Sequence, residues 1–206
     1  METILKYFND LTPDQVDRFS RLKDIYLDWN SKINVISRKD IDEIYVRHVL
    51  HSLAIAKFIR FAHGSEIIDV GCGGGFPGIP LSILFPDSHF TLVDSIGKKI
   101  QVVKQVASSL SLENVTAIND RAENLSSKFD FVTSRAITAF PHFVSLTRNL
   151  ISKNQRNAIP NGIIYLKGGD FAEEIAPYKK AVEIIDISGF FVEPFFETKK
   201  IIFLPL

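Results

Sequence analysis

One cysteine and one tryptophan occur in 206 residues. Cys72 therefore has no partner for an internal disulfide, and its neighbours are glycines rather than metal ligands, which suits a reducing cytoplasm. Charge of one sign is missing as well. The 24 Lys and Arg balance 24 Asp and Glu, giving a net charge of zero. This removes the simplest argument for a nucleic-acid partner, a global basic excess, and leaves a local patch as the route to one. No uninterrupted apolar segment approaches membrane length. The start, Met-Glu-Thr-Ile-Leu-Lys, lacks the basic opening and apolar run of a signal peptide. These absences lead us to expect a cytoplasmic protein with no membrane partner. A hydrophobic content of 46% is enough for one substantial core.

What is present centres on residues 66–80, Glu-Ile-Ile-Asp-Val-Gly-Cys-Gly-Gly-Gly-Phe-Pro-Gly-Ile-Pro. A short buried strand breaks into glycines and then enters a helix. Asp69 lies at the carboxyl end of that strand, and Gly71, Gly73, Gly74 and Gly75 let the backbone approach a ligand that a Cβ would push away. In open α/β sheets, ligands bind beyond the carboxyl ends of the strands. An acid beside such a loop suits the ammonium of S-adenosylmethionine and would repel a pyrophosphate. The same glycines also fit a dinucleotide fingerprint, Gly73 to Gly78, with Asp94 21 residues after Gly73. Pro77 and Pro80 count against that fit because they remove amide donors a pyrophosphate would use. A glycine-rich turn of purely structural use is the third alternative.

Residues 1–63 read as a helical cap and residues 64–206 as the main domain. Thr12-Pro13-Asp14-Gln15 is a helix start with a capping box. Val16, Phe19, Leu22, Ile25, Tyr26 and Trp29 then recur at helical spacing, up to Asn30-Ser31. A second helix is expected from about Asp40 to Arg60. Beyond Gly64, strand candidates at 66–70, 89–93, 115–118, 129–134, 162–167, 182–187 and 199–204 alternate with helices at 78–85, 97–110, 138–151 and 170–181. Strands separated by helices imply a parallel sheet with right-handed crossovers. The last two strands have no helix between them and should pair antiparallel at one edge. The expected fold is α/β: a Rossmann-like, doubly wound, mostly parallel sheet with an antiparallel C-terminal edge, as in class I S-adenosylmethionine-dependent methyltransferases.

Further candidates end the later strands. Asp94 can accept bonds from two ribose hydroxyls, or cap the helix that begins near Gly97. Asn119-Asp120-Arg121-Ala122-Glu123 lies where an adenine edge would be read, or is a plain polar loop. Arg135, in Ser134-Arg135-Ala136, follows a buried strand, where its charge needs a partner; a cofactor or anion contact would supply one. Lys167 precedes Gly168-Gly169 and could meet phosphate or simply be solvated. Arg47, His48 and His51 share one turn of the second helix. The two histidines lack further ligands nearby, so no metal is expected.

The sequence closely resembles the bacterial 16S ribosomal RNA (guanine-N7) methyltransferases, the glucose-inhibited division protein B family. The resemblance spans nearly the whole chain. Its motifs are Trp29-Asn30 with Asn34, Val46-Arg47-His48 with Ser52-Leu53, and Asp69-Val70-Gly71 through Phe76-Pro77-Gly78-Ile79-Pro80. They continue through Leu92-Val93-Asp94-Ser95 with Gly97-Lys98-Lys99, Arg121-Ala122-Glu123, Ser134-Arg135-Ala136 and Lys167-Gly168. The resemblance implies S-adenosyl-L-methionine as cofactor, held around Asp69, Gly71, Gly73, Gly75, Phe76, Asp94, Ser95, Ala122, Glu123 and Arg135. It implies 16S ribosomal RNA or the 30S particle as partner, met by Arg47, Arg121, Lys167 and Lys199. Arg135 and His48 are the candidate catalytic residues, and a monomer is expected. Cys72 and Gly74 depart from the small residues common at those positions. Lys199-Lys200 stand where many members carry arginine, and the chain stops at Leu206 without a basic tail. Lysine lacks the planar fork of arginine for phosphate. Arg38, Lys39, Lys98 and Lys99 complete the expected RNA-facing patch.

Overall fold

The computed structural model describes residues 1–37, 40–135 and 138–206. Arg38, Lys39 and Ala136, named above, lie outside the described residues.

A single turn, α1 (Glu2–Leu5), precedes α2 (Pro13–Lys32). The capping box forms as expected: Thr12 Oγ1 accepts from the Gln15 amide at 3.3 Å, and Gln15 Oε1 accepts from the Thr12 amide at 2.9 Å. The Gln15 side-chain amide then donates to the carbonyls of Ile83 and Leu84, tying the start of α2 to the main domain. Phe19, Leu22 and Tyr26 are fully buried on its inner face. After α2, the Asn30 side chain accepts from the Val35 and Ile36 amides and donates to the Ile36 carbonyl, which folds the connection back on itself.

The expected helix over 40–60 is broken in character. It runs as a π-helical stretch, Tyr45–Leu50, followed by α3 (His51–Phe58). Ile41, Ile44, Val49, Leu53 and Ile59 are buried, and Ala56 is half-buried. The wider π turn carries Arg47 and His48, and such turns recur at functional positions.

The main domain alternates β1 (Glu66–Val70), α4 (Gly78–Leu84), β2 (His89–Asp94), α5 (Gly97–Ser109), β3 (Val115–Asn119), β4 (Phe131–Arg135), α6 (Phe140–Thr147), β5 (Gly162–Gly168) and α7 (Ala172–Ile175). It closes with β6 (Glu183–Asp186) and β7 (Lys199–Pro205). The sheet order is β3-β2-β1-β4-β5-β7-β6. The first five strands are parallel, and β7 pairs antiparallel with both β5 and β6. Within the expected antiparallel pair, the C-terminal strand is the inner member and β6 forms the outer edge. The helix expected over 170–181 shrinks to α7 and one further turn, because Pro177 lacks the amide that would continue the ladder. Pro141 sits in the first turn of α6, which starts at Phe140 rather than 138.

Residues from α2, α3 and the π turn share one apolar cluster with β1, α4 and α5, so the cap is packed on one face of the sheet. A second cluster, from β4, β5, α6 and α7, covers the other face. Strand order reverses between β1 and β4, where sheets of this type open a crevice at the carboxyl ends of the strands. No helix among the described residues is long and apolar enough to cross a membrane.

Candidate active site

The crevice is built first by the glycine loop. The Gly71 and Cys72 amides donate to the Val93 carbonyl, fixing the loop to β2. Gly73 has φ +57°, and a Cβ there would meet nothing within 4 Å, so the backbone faces open space. Gly75 is glycine for a different reason. Its φ is +104°, and a Cβ would come within 2.6 Å of the Ile79 side chain. A Cβ on Gly78 would likewise strike Leu92 at 2.7 Å. Part of the glycine run thus serves internal packing, and only part opens toward a ligand.

Asp69 is fully buried. Its Oδ2 accepts from the Gly78 amide at 2.8 Å, while Oδ1 has no hydrogen-bond partner among the described residues. Burial pushes its carboxyl up to about 7, against the pull of the Gly78 amide and the Arg135 charge. Asp94 does not cap α5. Its Oδ2 accepts from the Gly73 amide at 3.0 Å and its Oδ1 from the Ile96 amide at 2.9 Å. The capping position is held by Ile96, with no side-chain cap bond. Asp94 therefore links the loop after β1 to the loop after β2. Ser95 and Glu123 are exposed, and Ala122 is buried in a short turn after β3.

Arg135 reaches back from the end of β4 to the cap. Its Nη2 donates to His48 Nδ1 at 2.8 Å, and its Nη1 donates to the Arg47 carbonyl at 3.3 Å. A guanidinium has only donors, so His48 Nδ1 accepts and the ring proton sits on Nε2. Burial, with Arg135 and Arg47 nearby, lowers His48 to about 3, so its ring is neutral. Burial also lowers Arg135 to about 10, which leaves it charged at neutral pH. The Phe76 ring lies beneath this pair, 5.3 Å from the guanidinium and 5.0 Å from the imidazole. Tyr26 packs on the same ring at 4.9 Å. Ser134 Oγ donates to the Val70 carbonyl at 2.7 Å and binds the ends of β4 and β1 together.

A cavity of about 320 Å³ opens beside Arg135 and His48. Arg47, Lys167, Lys199, His51 and Phe195 also line it. Arg47 pairs with Asp40 and Glu43, and Lys167 with Glu174. The structure thus gathers Arg47, His48, Arg135, Lys167 and Lys199 into one place. Arg121 is exposed and stands apart, at the end of β3, three strand spacings from β4. Phe195 was not among the expected site residues, and His51 was named only for sharing a turn with Arg47 and His48. His51 offered a signal, its place three residues after His48, whereas Phe195 lies in an aperiodic turn.

A family model described as rRNA small subunit methyltransferase G matches residues 15–202. The chain belongs to that family. A ribosomal RNA small subunit methyltransferase G from Christiangramia forsetii is 53% identical over 206 residues, covering 100% of this chain and 97% of that protein. Its counterpart from Flavobacterium psychrophilum is 56% identical, covering 100% of this chain and 98% of that protein. Among solved structures, a SAM-dependent methyltransferase from Aquifex aeolicus superposes with a TM-score of 0.57 at 12% identity, covering 83% of this chain and 100% of that one. That likeness shows the shared fold. As a methyltransferase G family member, this chain carries the Arg135–His48–Phe76 group at the switch point of that fold.

Proposed function

We propose that the protein transfers a methyl group from S-adenosyl-L-methionine to N7 of a guanine in 16S ribosomal RNA, as free RNA or within the 30S particle. The observation that carries this is the Arg135–His48 pair, set on Phe76 of the glycine loop and opening onto a cavity lined by Arg47, Lys167 and Lys199. A cofactor loop and a phosphate-attracting cavity meet there at one arginine.

The loop fits the cofactor. Gly73 leaves space along the backbone, and the buried Asp69 Oδ1 lacks a donor that an ammonium would provide. Gly71, Gly73, Gly75 and Asp69 would hold the methionine portion. Asp94 and Ser95 would hold the ribose, and Ala122 and Glu123 the adenine edge. When bound, S-adenosylmethionine supplies an electrophilic sulfonium methyl, whose departure leaves a neutral thioether and puts the positive charge on guanine. Guanine N7 has a lone pair and no proton to lose, so the site needs no general base, in keeping with a neutral His48. The protein's part is to align the reactants and exclude water. Arg135 is held by His48 and the Arg47 carbonyl, so its charge is kept off the base, where it would oppose the cationic product.

Residues 1–63 act as a cap that supplies one wall of the site, and the enzyme works as a cytoplasmic monomer. Arg47, Arg121, Lys167 and Lys199 contribute RNA contacts. With no global positive charge, docking depends on this patch and on folded ribosomal structure. Transfer from labelled cofactor to 30S subunits and to naked 16S RNA, followed by mapping of the modified base, tests the reading. Label at guanine N7 is expected; label elsewhere or none overturns it.

A further inference from the structure

Among the described residues, Phe195 is the one phenyl ring lining the cavity beside Arg135. It sits in the turn Pro194–Phe196 between β6 and β7, half-buried. Phe196 backs it at 5.1 Å between ring centres, and the buried His51 meets it edge-on at 5.5 Å. The ring is therefore held in place rather than swinging in solvent. Two cations lie over it: the Lys199 ammonium at 4.8 Å and the Arg47 guanidinium at 5.3 Å from the ring centre. Arg47 is tied to carboxylates, whereas no ion pair among the described residues involves Lys199. The Lys199 ammonium is free to leave the ring for a phosphate.

From this arrangement we propose that Phe195 is the stacking wall for the target guanine, which displaces Lys199 from the ring face as it enters the cavity. The inference rests on the proposed methyl transfer to guanine. Single bases taken from RNA are held by stacking on aromatic side chains, and the cavity offers that surface at Phe195. The chemistry favours it further. As the methyl leaves sulfur and bonds to N7, the base becomes cationic, and a cation over a phenyl face is attracted to it. The contact thus strengthens along the reaction, which is the kind of binding that raises rate. Lys199, moved to the backbone, removes a positive charge from the ring that is becoming positive.

The test compares Phe195→Leu and Phe195→Met with Phe195→Tyr and Phe195→Trp in the full chain. The readouts are methyl transfer to 30S subunits and to 16S RNA, cofactor affinity by calorimetry, and the melting temperature. The aliphatic variants are expected to lose roughly 5- to 150-fold in kcat/KM for RNA, the fold-change of one base stack. The aromatic variants should recover most of it, and cofactor affinity should stay at the wild-type value in all four. Wild-type turnover by either folded aliphatic variant overturns the proposal, as does a loss that tyrosine and tryptophan both fail to rescue. An active wild type with those results removes the stacking role alone. A wild type that modifies no guanine removes the function and the stacking role together.

Discussion

The Tyr26 hydroxyl donates a 2.7 Å hydrogen bond to the Gly74 carbonyl. A side chain from the helical cap is thereby bonded to the glycine loop of the main domain, across 48 residues of sequence. Its ring also packs against Phe76, so one residue braces both the backbone and the aromatic centre of the loop. Tyr26 thus joins α2 to the loop after β1 at two points, the Gly74 carbonyl and the Phe76 ring.

Replacing Tyr26 with Phe keeps the ring and removes the bond, which leaves a buried carbonyl unpaired. That costs about 1–3 kcal/mol. For a chain of this size it corresponds to a melting temperature lower by about 2–12 °C. Because the lost bond acts on the loop, S-adenosylmethionine affinity should fall as well. Calorimetric melting and ligand titration of Tyr26→Phe check this. A variant that melts lower but binds normally would show that the bond serves stability alone.

Asp69 carries the second prediction. Burial raises its carboxyl to about 7, so in the free protein it is only partly charged at neutral pH. A bound ammonium favours the carboxylate, so cofactor affinity should increase as pH rises through about 7 and then level off. Asp69→Asn keeps an acceptor for the Gly78 amide but holds no charge. Its affinity should be lower by at least about tenfold, in line with a lost charged hydrogen bond, and independent of pH across that range. Titrations at about pH 6 and about pH 8 separate the cases. A pH-dependent Asp69→Asn would place the titrating group elsewhere.

Much of this framework was legible in the residues because it follows local rules. β1 spans 66–70 as its apolar run implies, and the capping box at Thr12 forms with both bonds. The parallel order followed from the alternation of strands and helices. The reading stopped where side chains meet across long separations. Helical spacing places Tyr26 on the inner face of α2 but says nothing of what its hydroxyl touches. Phe195 has no periodic neighbours, and it reaches the cavity only because β7 inserts beside β5 and carries the preceding turn there. Gly71, Gly73, Gly74 and Gly75 were read together as admitting a ligand, with a purely structural turn as the alternative. In the fold, Gly75 and Gly78 answer instead to Ile79 and Leu92, contacts set by how α4 packs.

Arg135 makes two bonds in different directions, to the His48 ring and to the Arg47 carbonyl. A lysine ammonium is a point charge on a flexible stem and lacks the fork that reaches both. Arg135→Lys should therefore lower kcat/KM by at least about tenfold, the loss of one charged hydrogen bond. Arg135→Ala should be worse and should weaken cofactor or RNA binding. Affinities for both at the wild-type level in Arg135→Ala would remove Arg135 from the site.

His48 gives a prediction in the acid range. Its folded value is about 3, while the unfolded chain takes up a proton near the ordinary 6.5. Between those values the unfolded state binds the extra proton, so native stability is full above 6.5 and is lost as pH falls toward 3. His51, also held well below its ordinary value by burial, pulls in the same direction. Asp69 works against them. Its raised carboxyl favours the native state below the ordinary 3.8, and that gain is lost as pH rises through about 7. His48→Gln retains an acceptor for Arg135 and cannot take a proton. Denaturant unfolding followed across this range should show a shallower loss of stability on acidification than in the wild type. An unchanged slope would mean that His48 protonates freely in the folded protein, and the neutral-acceptor role assigned to it beside Arg135 would fall.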